Sequence, residues 1–402
     1  MKTNKFHKNF KLQGNSFNSV GELLLFSKSI AIEVYQFLED WFDDKLYIEV
    51  RTSGSTGAPK LIQLQKKFMI NSAKATGVFF ELSENTTALL CMSPNYIAGK
   101  MMLVRALTLG WNLDVVEVTS KPLKNSDKNY DFSEMVPLQI ANSLSEIEKI
   151  KKLIIGGGVV SNQLLNQIQQ IKTEVFATYG MTETITHIAV RKLNNFQKAI
   201  ESETKQSQFS IPPNDKIPSQ AEKNVRFRLA ELDAASHYKV FTNIKISTDE
   251  RGCLVIEAPK ISDELIITND LVELFSEIEF KWLGRYDSII NSGGIKIIPE
   301  QLEEKLTNLI SEPFFLAGLP DAALGEKLIL VIEKVIPEMS RSALISTTLN
   351  NHNNILFQKL KELKTLSKYE IPKEIYCIKN FVKTPTGKIN RIATLKLLET
   401  KF

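Results

Sequence analysis

Histidine and cysteine are scarce in this chain. Four histidines (His7, His187, His237, His352) occur in 402 residues, and the three cysteines, Cys91, Cys253 and Cys377, stand far apart. No two histidines sit at ligand spacing, so neither a structural zinc nor a disulfide framework is expected. Charge of one sign is lacking too. Fifty basic residues face 46 acidic ones, a net +4, which is too balanced for nucleic acid as a partner. No run of 18 apolar residues occurs, and Met1-Lys2-Thr3-Asn4-Lys5-Phe6 holds no apolar leader segment. Stable membrane insertion is therefore not expected, and the cytoplasm is the expected compartment. No internal repeat is visible. Composition leaves homo-oligomerisation open.

What is present is a globular composition, 43% hydrophobic and 24% charged, in a chain long enough for two or three domains. Leu23, Phe26, Ile30, Val34, Phe37 and Trp41 step by three and four, which predicts a core-facing helix over 20–42. A second helix is predicted over 66–81. Short apolar runs then alternate with helices. Ala88–Met92, Leu113–Val118, Leu153–Ile155 and Val175–Ala177 read as strands, and Gly99–Leu109 as a helix. Such alternation predicts an α/β fold with mostly parallel sheets. Residues 194–224 are polar, with Pro212, Pro213 and Pro218, and read as a surface excursion. Strand-rich sequence follows to Leu274. A boundary is expected at Trp282–Asp287, with roughly 115 residues beyond it, the size of a small second domain.

The most informative stretch is Arg51-Thr52-Ser53-Gly54-Ser55-Thr56-Gly57-Ala58-Pro59-Lys60. It joins the apolar runs Tyr47–Val50 and Leu61–Leu64, so strand, small polar loop, strand is the expected order. Glycines let backbone approach a bulky anion, hydroxyls and N–H groups donate to phosphate oxygens, and Lys60 adds a point charge. It is not a P-loop: Gly54 and Gly57 are three apart and Pro59 precedes the lysine. Four further stretches follow in order: Gly156-Gly157-Gly158 after a strand, Tyr179-Gly180-Met181-Thr182-Glu183-Thr184 preceded by Thr178, Thr268-Asn269-Asp270, and Gly284-Arg285-Tyr286-Asp287 running on to Gly293-Gly294-Ile295-Lys296-Ile297-Ile298-Pro299. Last comes Thr384-Pro385-Thr386-Gly387-Lys388-Ile389-Asn390-Arg391. For the triple glycine, a tight turn alone accounts for the residues equally well.

In this order the stretches resemble the motifs of the adenylate-forming superfamily, the acyl-CoA ligases, adenylation domains and luciferases. The loop resembles T-S-G-[ST]-T-G-x-P-K; the others resemble Y-G-x-T-E, T-G-D, G-R-x-D and P-x-G-K-x-x-R. Asn269 stands where the family has glycine, a mild departure because asparagine tolerates left-handed backbone. The resemblance implies a large N-terminal domain, 1–284, and a small mobile α+β C-terminal lid, 288–402, hinged near Asp287. It implies ATP, Mg²⁺ and coenzyme A, with a small-molecule carboxylic acid as partner. Thr52 to Gly57, Lys60, Gly156 to Gly158, Thr178, Tyr179, Gly180, Asp270 and Arg285 would bind the nucleotide. Tyr179 would stack on the purine, Asp270 and Arg285 would take the ribose, Thr182 the α-phosphate and Glu183 the metal. Lys388 would be the mobile catalytic lysine, and Gly293 and Gly294 would line the path of a pantetheine arm.

Family members usually carry well over a hundred residues before the Ser/Gly loop, and this chain has 51. In this it resembles the compact 2-succinylbenzoate–CoA ligases of menaquinone synthesis. Pro94-Asn95-Tyr96-Ile97-Ala98-Gly99 and the helix after it add to that likeness. An arginine on this helix meets the substrate's spare carboxylate in that subfamily, which assigns Arg105 this role, with Lys100 as a second cation and Tyr96 and Gly99 beside the substrate. By the helical period Lys100 and Arg105 lie on different faces. The alternatives are a ligase for another aryl or fatty acid, an amino-acid adenylation enzyme, or a non-catalytic nucleotide-binding relative.

Overall fold

The computed structural model describes residues 5–51, 61–158, 160–194, 237–334, 345–346, 351–384 and 388–399. Strands β1 (Lys11–Leu12), β2 (Tyr47–Arg51), β3 (Leu61–Gln65), β4 (Thr87–Leu90), β5 (Asn112–Val115), β6 (Tyr130–Met135), β7 (Ile150–Ile155) and β8 (Glu174–Gly180) precede the antiparallel region. There follow β9 (His187–Lys192), β10 (Tyr238–Val240), β11 (Lys245–Thr248), β12 (Cys253–Glu257), β13 (Ile266–Ser276) and β14 (Glu279–Arg285). Apart from the β2–β3 hairpin, these strands form one 12-stranded sheet in the order β1-β5-β4-β6-β7-β8-β9-β10-β14-β13-β12-β11.

The parallel pairing expected from strand–helix alternation runs from β1 to β8. From β8 onward every neighbour is antiparallel. The change has a local cause: connections such as the one between β13 and β14 are too short for the crossover that parallel strands need.

Helices cover both faces of the parallel half, as such a sheet requires. In β4, Ala88 and Leu90 enter one core with Leu23, Phe37, Trp41, Met69 and Trp111, while Leu89 enters the other with Ile140, Leu164 and Ile168. The predicted single helix over 20–42 is two: α1 (Val20–Ile30) and α2 (Ile32–Phe42), broken at Ala31, whose backbone is extended. No glycine or proline marks the break. It lets α1 and α2 pack on each other, a tertiary gain that periodicity does not reveal. Ser19 caps α1 by accepting from the Glu22 N–H at 3.2 Å. The next helices are α3 (Lys66–Phe79) and α4 (Ile97–Leu109). In α4 every residue from Gly99 to Leu107 is buried. A helix apolar nearly all round is a core helix, and this one also carries Lys100 and Arg105.

Beyond Arg285 a separate sheet begins. β15 (Ile290–Ser292), β16 (Ile295–Ile297), β17 (Phe314–Asp321), β18 (Gly325–Glu333), β19 (Ile345–Ser346) and β20 (Glu374–Ile378) make six strands. Alternate residues of β17 and β18 point into two cores. Leu316, Leu328 and Leu330 meet Leu302, Leu306 and Leu360; Phe315, Ile329 and Val331 meet Phe381 and Leu398. No strand pairing among the described residues joins this sheet to the larger one. Among the described residues no helix is long and apolar enough to cross a membrane.

Candidate active site

The Ser/Gly loop is carried by a hairpin. β2 and β3 pair antiparallel with Arg51 opposite Leu61, so the strand–loop–strand order holds at both flanks. Thr52, Ser53, Gly54, Ser55, Thr56, Gly57 and Lys60 lie outside the described residues, as do Pro385 to Gly387 and most of the polar stretch 194–224.

Beside the hairpin lies the turn after β8. Thr182–Thr184 forms a short 3₁₀ turn against β3. The Thr184 hydroxyl accepts from the Met181 N–H at 2.9 Å and lies 2.6 Å from the Thr186 carbonyl. The chain then reverses at Ile185, where φ is 67° and ψ −58°. The Thr186 N–H donates to the Thr184 carbonyl at 2.7 Å, closing a γ-turn of the strained hand. A β-branched residue held there costs of order 1–3 kcal/mol, and burial of Ile185 at 2% exposure helps offset it. The reversal lays the next strand on Gly180: a Cβ there would sit 2.1 Å from the Thr186 carbonyl oxygen. Glycine is thus a steric requirement of the motif. Glu183 is exposed and makes no hydrogen bond or ion pair among the described residues. Thr182 is half-buried next to it.

The nucleotide residues predicted from separate motifs meet across β8, β13 and β14. The Tyr179 hydroxyl donates to Asp270 Oδ2 at 2.6 Å. The pairing of β13 with β14 sets Asp270 opposite Arg285, whose Nη1 is 3.8 Å from Asp270 Oδ1. Arg285 also forks onto Asp287 at 2.9 and 2.7 Å. That pairing holds the Asp287 carboxyl below its usual range. Burial, then the Asp270 charge, pushes the Tyr179 hydroxyl upward, so it stays a donor. The Tyr179 ring meets Phe280 edge-on at 5.0 Å.

Two members of this cluster are not among the expected site residues, and Trp282 enters the sequence reading only as part of a domain boundary. The Trp282 indole donates to Asp270 Oδ1 at 3.2 Å. Arg251 donates to Asn269 Oδ1 at 2.9 Å and to the Thr268 carbonyl at 3.0 Å, fixing the residue that replaces glycine. Only the strand register could have found them.

Thr178 ties β8 to β7 by donating to the Ile155 carbonyl at 2.9 Å, which brings Gly156 alongside. Gly157 has a φ of +77° and Gly158 approaches Pro137. Gly293 and Gly294 form the two-residue turn between β15 and β16, both with positive φ. Such a hairpin demands that conformation, so the turn alone explains both glycines.

On α4 the two cations do face different ways. Lys100 Nζ lies 5.0 Å from the Phe37 ring centre on α2. Burial pushes its ammonium below the ordinary value, opposed by Asp40. Arg105 is fully enclosed and already paired: Nη1 donates to Glu134 Oε2 on β6 at 2.9 Å. It does not stand as an unpartnered cation facing an open pocket. His187 completes the group, with Nδ1 3.4 Å from Arg105 Nη2 and Nε2 3.2 Å from the Thr76 hydroxyl. Burial, and then Arg105, hold His187 well below its usual titration. Tyr96 is partly exposed before α4, and Gly99 is buried in its first turn.

Lys388 sits on the C-terminal sheet's side. Its N–H donates to Thr384 Oγ1 at 3.1 Å and its carbonyl accepts from the Thr384 N–H at 2.8 Å. Burial pushes its ammonium below the ordinary value, and it makes no hydrogen bond or ion pair among the described residues and is not joined to the Tyr179–Asp270 cluster. Three residues on, Arg391 pairs with Glu303 at 2.7 Å and Glu300 at 3.6 Å.

A family model described as AMP-binding enzyme matches residues 39–213. The chain is similar to the 2-succinylbenzoate–CoA ligase of Staphylococcus epidermidis, 24% identical over 85% of this chain and 67% of that protein. A probable 2-succinylbenzoate–CoA ligase of Mycobacterium tuberculosis is 22% identical over 88% and 85%. Among solved structures, an acyl-CoA synthetase (AMP-forming)/AMP-acid ligase II-like protein from Dyadobacter fermentans is 34% identical, with 90% and 93% of the chains covered and a TM-score of 0.51. The o-succinylbenzoate CoA synthetase of Bacillus subtilis, solved with its acyl-adenylate intermediate, shares the fold at 20% identity, 86% and 68% coverage and a TM-score of 0.63.

Proposed function

The chain belongs to the family of AMP-binding enzymes, and from that premise we propose that it activates 2-succinylbenzoate as an acyl-adenylate and transfers the acyl group to coenzyme A. The observation that carries the reading is the junction of Tyr179, Asp270 and Arg285, an acceptor held ready for a diol beside an aromatic ring. The choice of acid is supported by the curated relatives, which match 85–88% of the chain, and by the cation on α4.

In the first step a carboxylate oxygen of the acid attacks the α-phosphorus of ATP, and pyrophosphate leaves. In the second the thiol sulfur attacks the acyl carbon, its proton passes to solvent, and AMP leaves with the bonding pair. The chain's contribution is positioning and charge neutralisation. Asp270, oriented by Tyr179 and Trp282, would accept from the ribose hydroxyls, and Thr182 would donate to the α-phosphate. The Gly156–Gly158 turn and Thr178 would border the base, and the Ser/Gly loop would hold the phosphates. Glu183 fits a magnesium ion bound with ATP: it is exposed and without a partner among the described residues, and no cluster of three metal-ligating groups occurs there. Magnesium takes few protein carboxylates and leans on phosphate oxygens; bound, it would neutralise triphosphate charge. Lys388 would bridge carboxylate and phosphate during adenylation, and rotation near Asp287 would withdraw it for the thiol step, with Gly293 and Gly294 passing the pantetheine arm. Arg105 would meet the aromatic carboxylate; Lys100, turned toward Phe37, would contribute at longer range. The cytoplasm, where its co-substrates are, would house the reaction.

ATP–pyrophosphate exchange over a panel of carboxylic acids tests the reading. Exchange with 2-succinylbenzoate well above simple benzoates, fatty acids and amino acids is expected. Preference for any of those would overturn the substrate, and no exchange with any acid would overturn the activity.

A further inference from the structure

Arg105 poses a physical problem for the substrate just proposed. A second carboxylate entering a buried pocket needs a cation, yet Arg105 is fully enclosed and holds Glu134 at 2.9 Å. The other Glu134 oxygen, Oε1, reaches the glycine turn. A Cβ on Gly156 would lie 3.6 Å from it and 3.3 Å from Thr178 Oγ1. Glu134 therefore spans from the arginine to the space that the missing Gly156 side chain leaves, at the turn assigned above to the nucleotide base. Arg105 keeps one donor in reserve: Nε is buried with no hydrogen-bond partner among the described residues.

We propose that Glu134 is a stand-in for the substrate's second carboxylate, occupying Arg105 in the free enzyme and yielding it, by taking up a proton, when a dicarboxylate enters. The inference rests on the dicarboxylic acid reading above. Without Glu134, the empty enzyme would bury an uncompensated guanidinium at a cost of several kcal/mol. With the substrate bound, two carboxylates would share one guanidinium in a low-dielectric site, and such a pair does not stay doubly ionised. The proton comes from solvent and goes to Glu134. Burial already favours the neutral acid there, opposed by Arg105. Among the described residues, the other titratable groups facing the pair are His187 on β9 and Cys91 after β4. The Cys91 thiol, pushed up to about 12 by burial, stays protonated throughout.

The test is calorimetric binding of 2-succinylbenzoate to the full chain, with a non-hydrolysable ATP analogue present, in two buffers of different ionisation enthalpy. Wild type should take up about one proton per acid bound, and so should His187→Gln. Glu134→Gln should take up almost none. It should also lower the KM for 2-succinylbenzoate in pyrophosphate exchange by ~10-fold or more, since the anion no longer competes with an internal one. A monocarboxylate analogue should bind without proton uptake in every variant. No uptake by wild type, or uptake that survives Glu134→Gln, overturns the inference while leaving the substrate reading intact. A wild type that activates only monocarboxylates overturns both. If Glu134→Gln fails to fold, the proton count of wild type and His187→Gln decides the matter.

Discussion

Replacing Tyr179 with phenylalanine isolates the bond that joins two motifs. The substitution keeps the ring against Phe280 and removes only the hydroxyl that donates to Asp270 at 2.6 Å. Asp270 is 8% exposed, so water replaces the lost donor poorly. Hydrogen bonds to charged groups contribute about 1.5–3 kcal/mol. The Trp282 indole at 3.2 Å and the Arg285 guanidinium at 3.8 Å remain, so the lower part of that range is expected. The unfolding free energy from urea titration should fall by about 1.5–2 kcal/mol. Asp270, held less firmly without the tyrosine, should bind ATP about tenfold more weakly, at ~1.4 kcal/mol per decade. The KM for the acid should not change. Both effects are measurable in one preparation, by urea unfolding and by ATP titration in pyrophosphate exchange. Wild-type stability together with wild-type ATP affinity would refute the argument, since the bond would then neither hold the fold nor orient the carboxylate.

Lys388→Ala should slow adenylation about a hundredfold or more, ~3 kcal/mol of lost charge stabilisation, while thioester formation from preformed acyl-adenylate continues; equal losses in both half-reactions would count against the assignment. Gly180→Ala should yield little folded enzyme, because the added Cβ would meet backbone 2.1 Å away; normal expression and thermal stability would contradict the tight reversal at Ile185. His187 is held well below its usual 6.5 by burial, so below that pH the unfolded chain binds a proton that the folded chain does not. Stability is then full above about pH 6.5 and falls by ~1.4 kcal/mol per unit beneath it. Glu303, pushed up to about 7 by burial, binds its proton in the folded state and works in the opposite sense. The readout is therefore the difference between wild type and His187→Gln in urea unfolding from pH 5 to 7, and parallel curves would refute it.

Periodicity and motif order made much of this protein legible without coordinates. Helix α4, strands β4, β5, β7 and β8 and the hairpin flanking the Ser/Gly loop all follow from local pattern, because side-chain period and turn chemistry act over a few residues, whereas β1 and β6, the strand that carries Glu134, are not marked by it. Motif residues such as Tyr179, Asp270 and Arg285 could be named singly for the same reason. Their meeting could not, since it depends on β13 and β14 pairing so that Asp270 faces Arg285 and on β8 reaching the same point from 91 residues away. The break at Ala31 was hidden because apolar spacing continues unchanged across it. Glu134 and His187 carry no motif at all. Glu134 lies 29 residues from Arg105, and His187 lies 82 from it. Only burial on neighbouring elements turns three ordinary polar residues into one cluster, and only there does the low dielectric make their charges depend on each other.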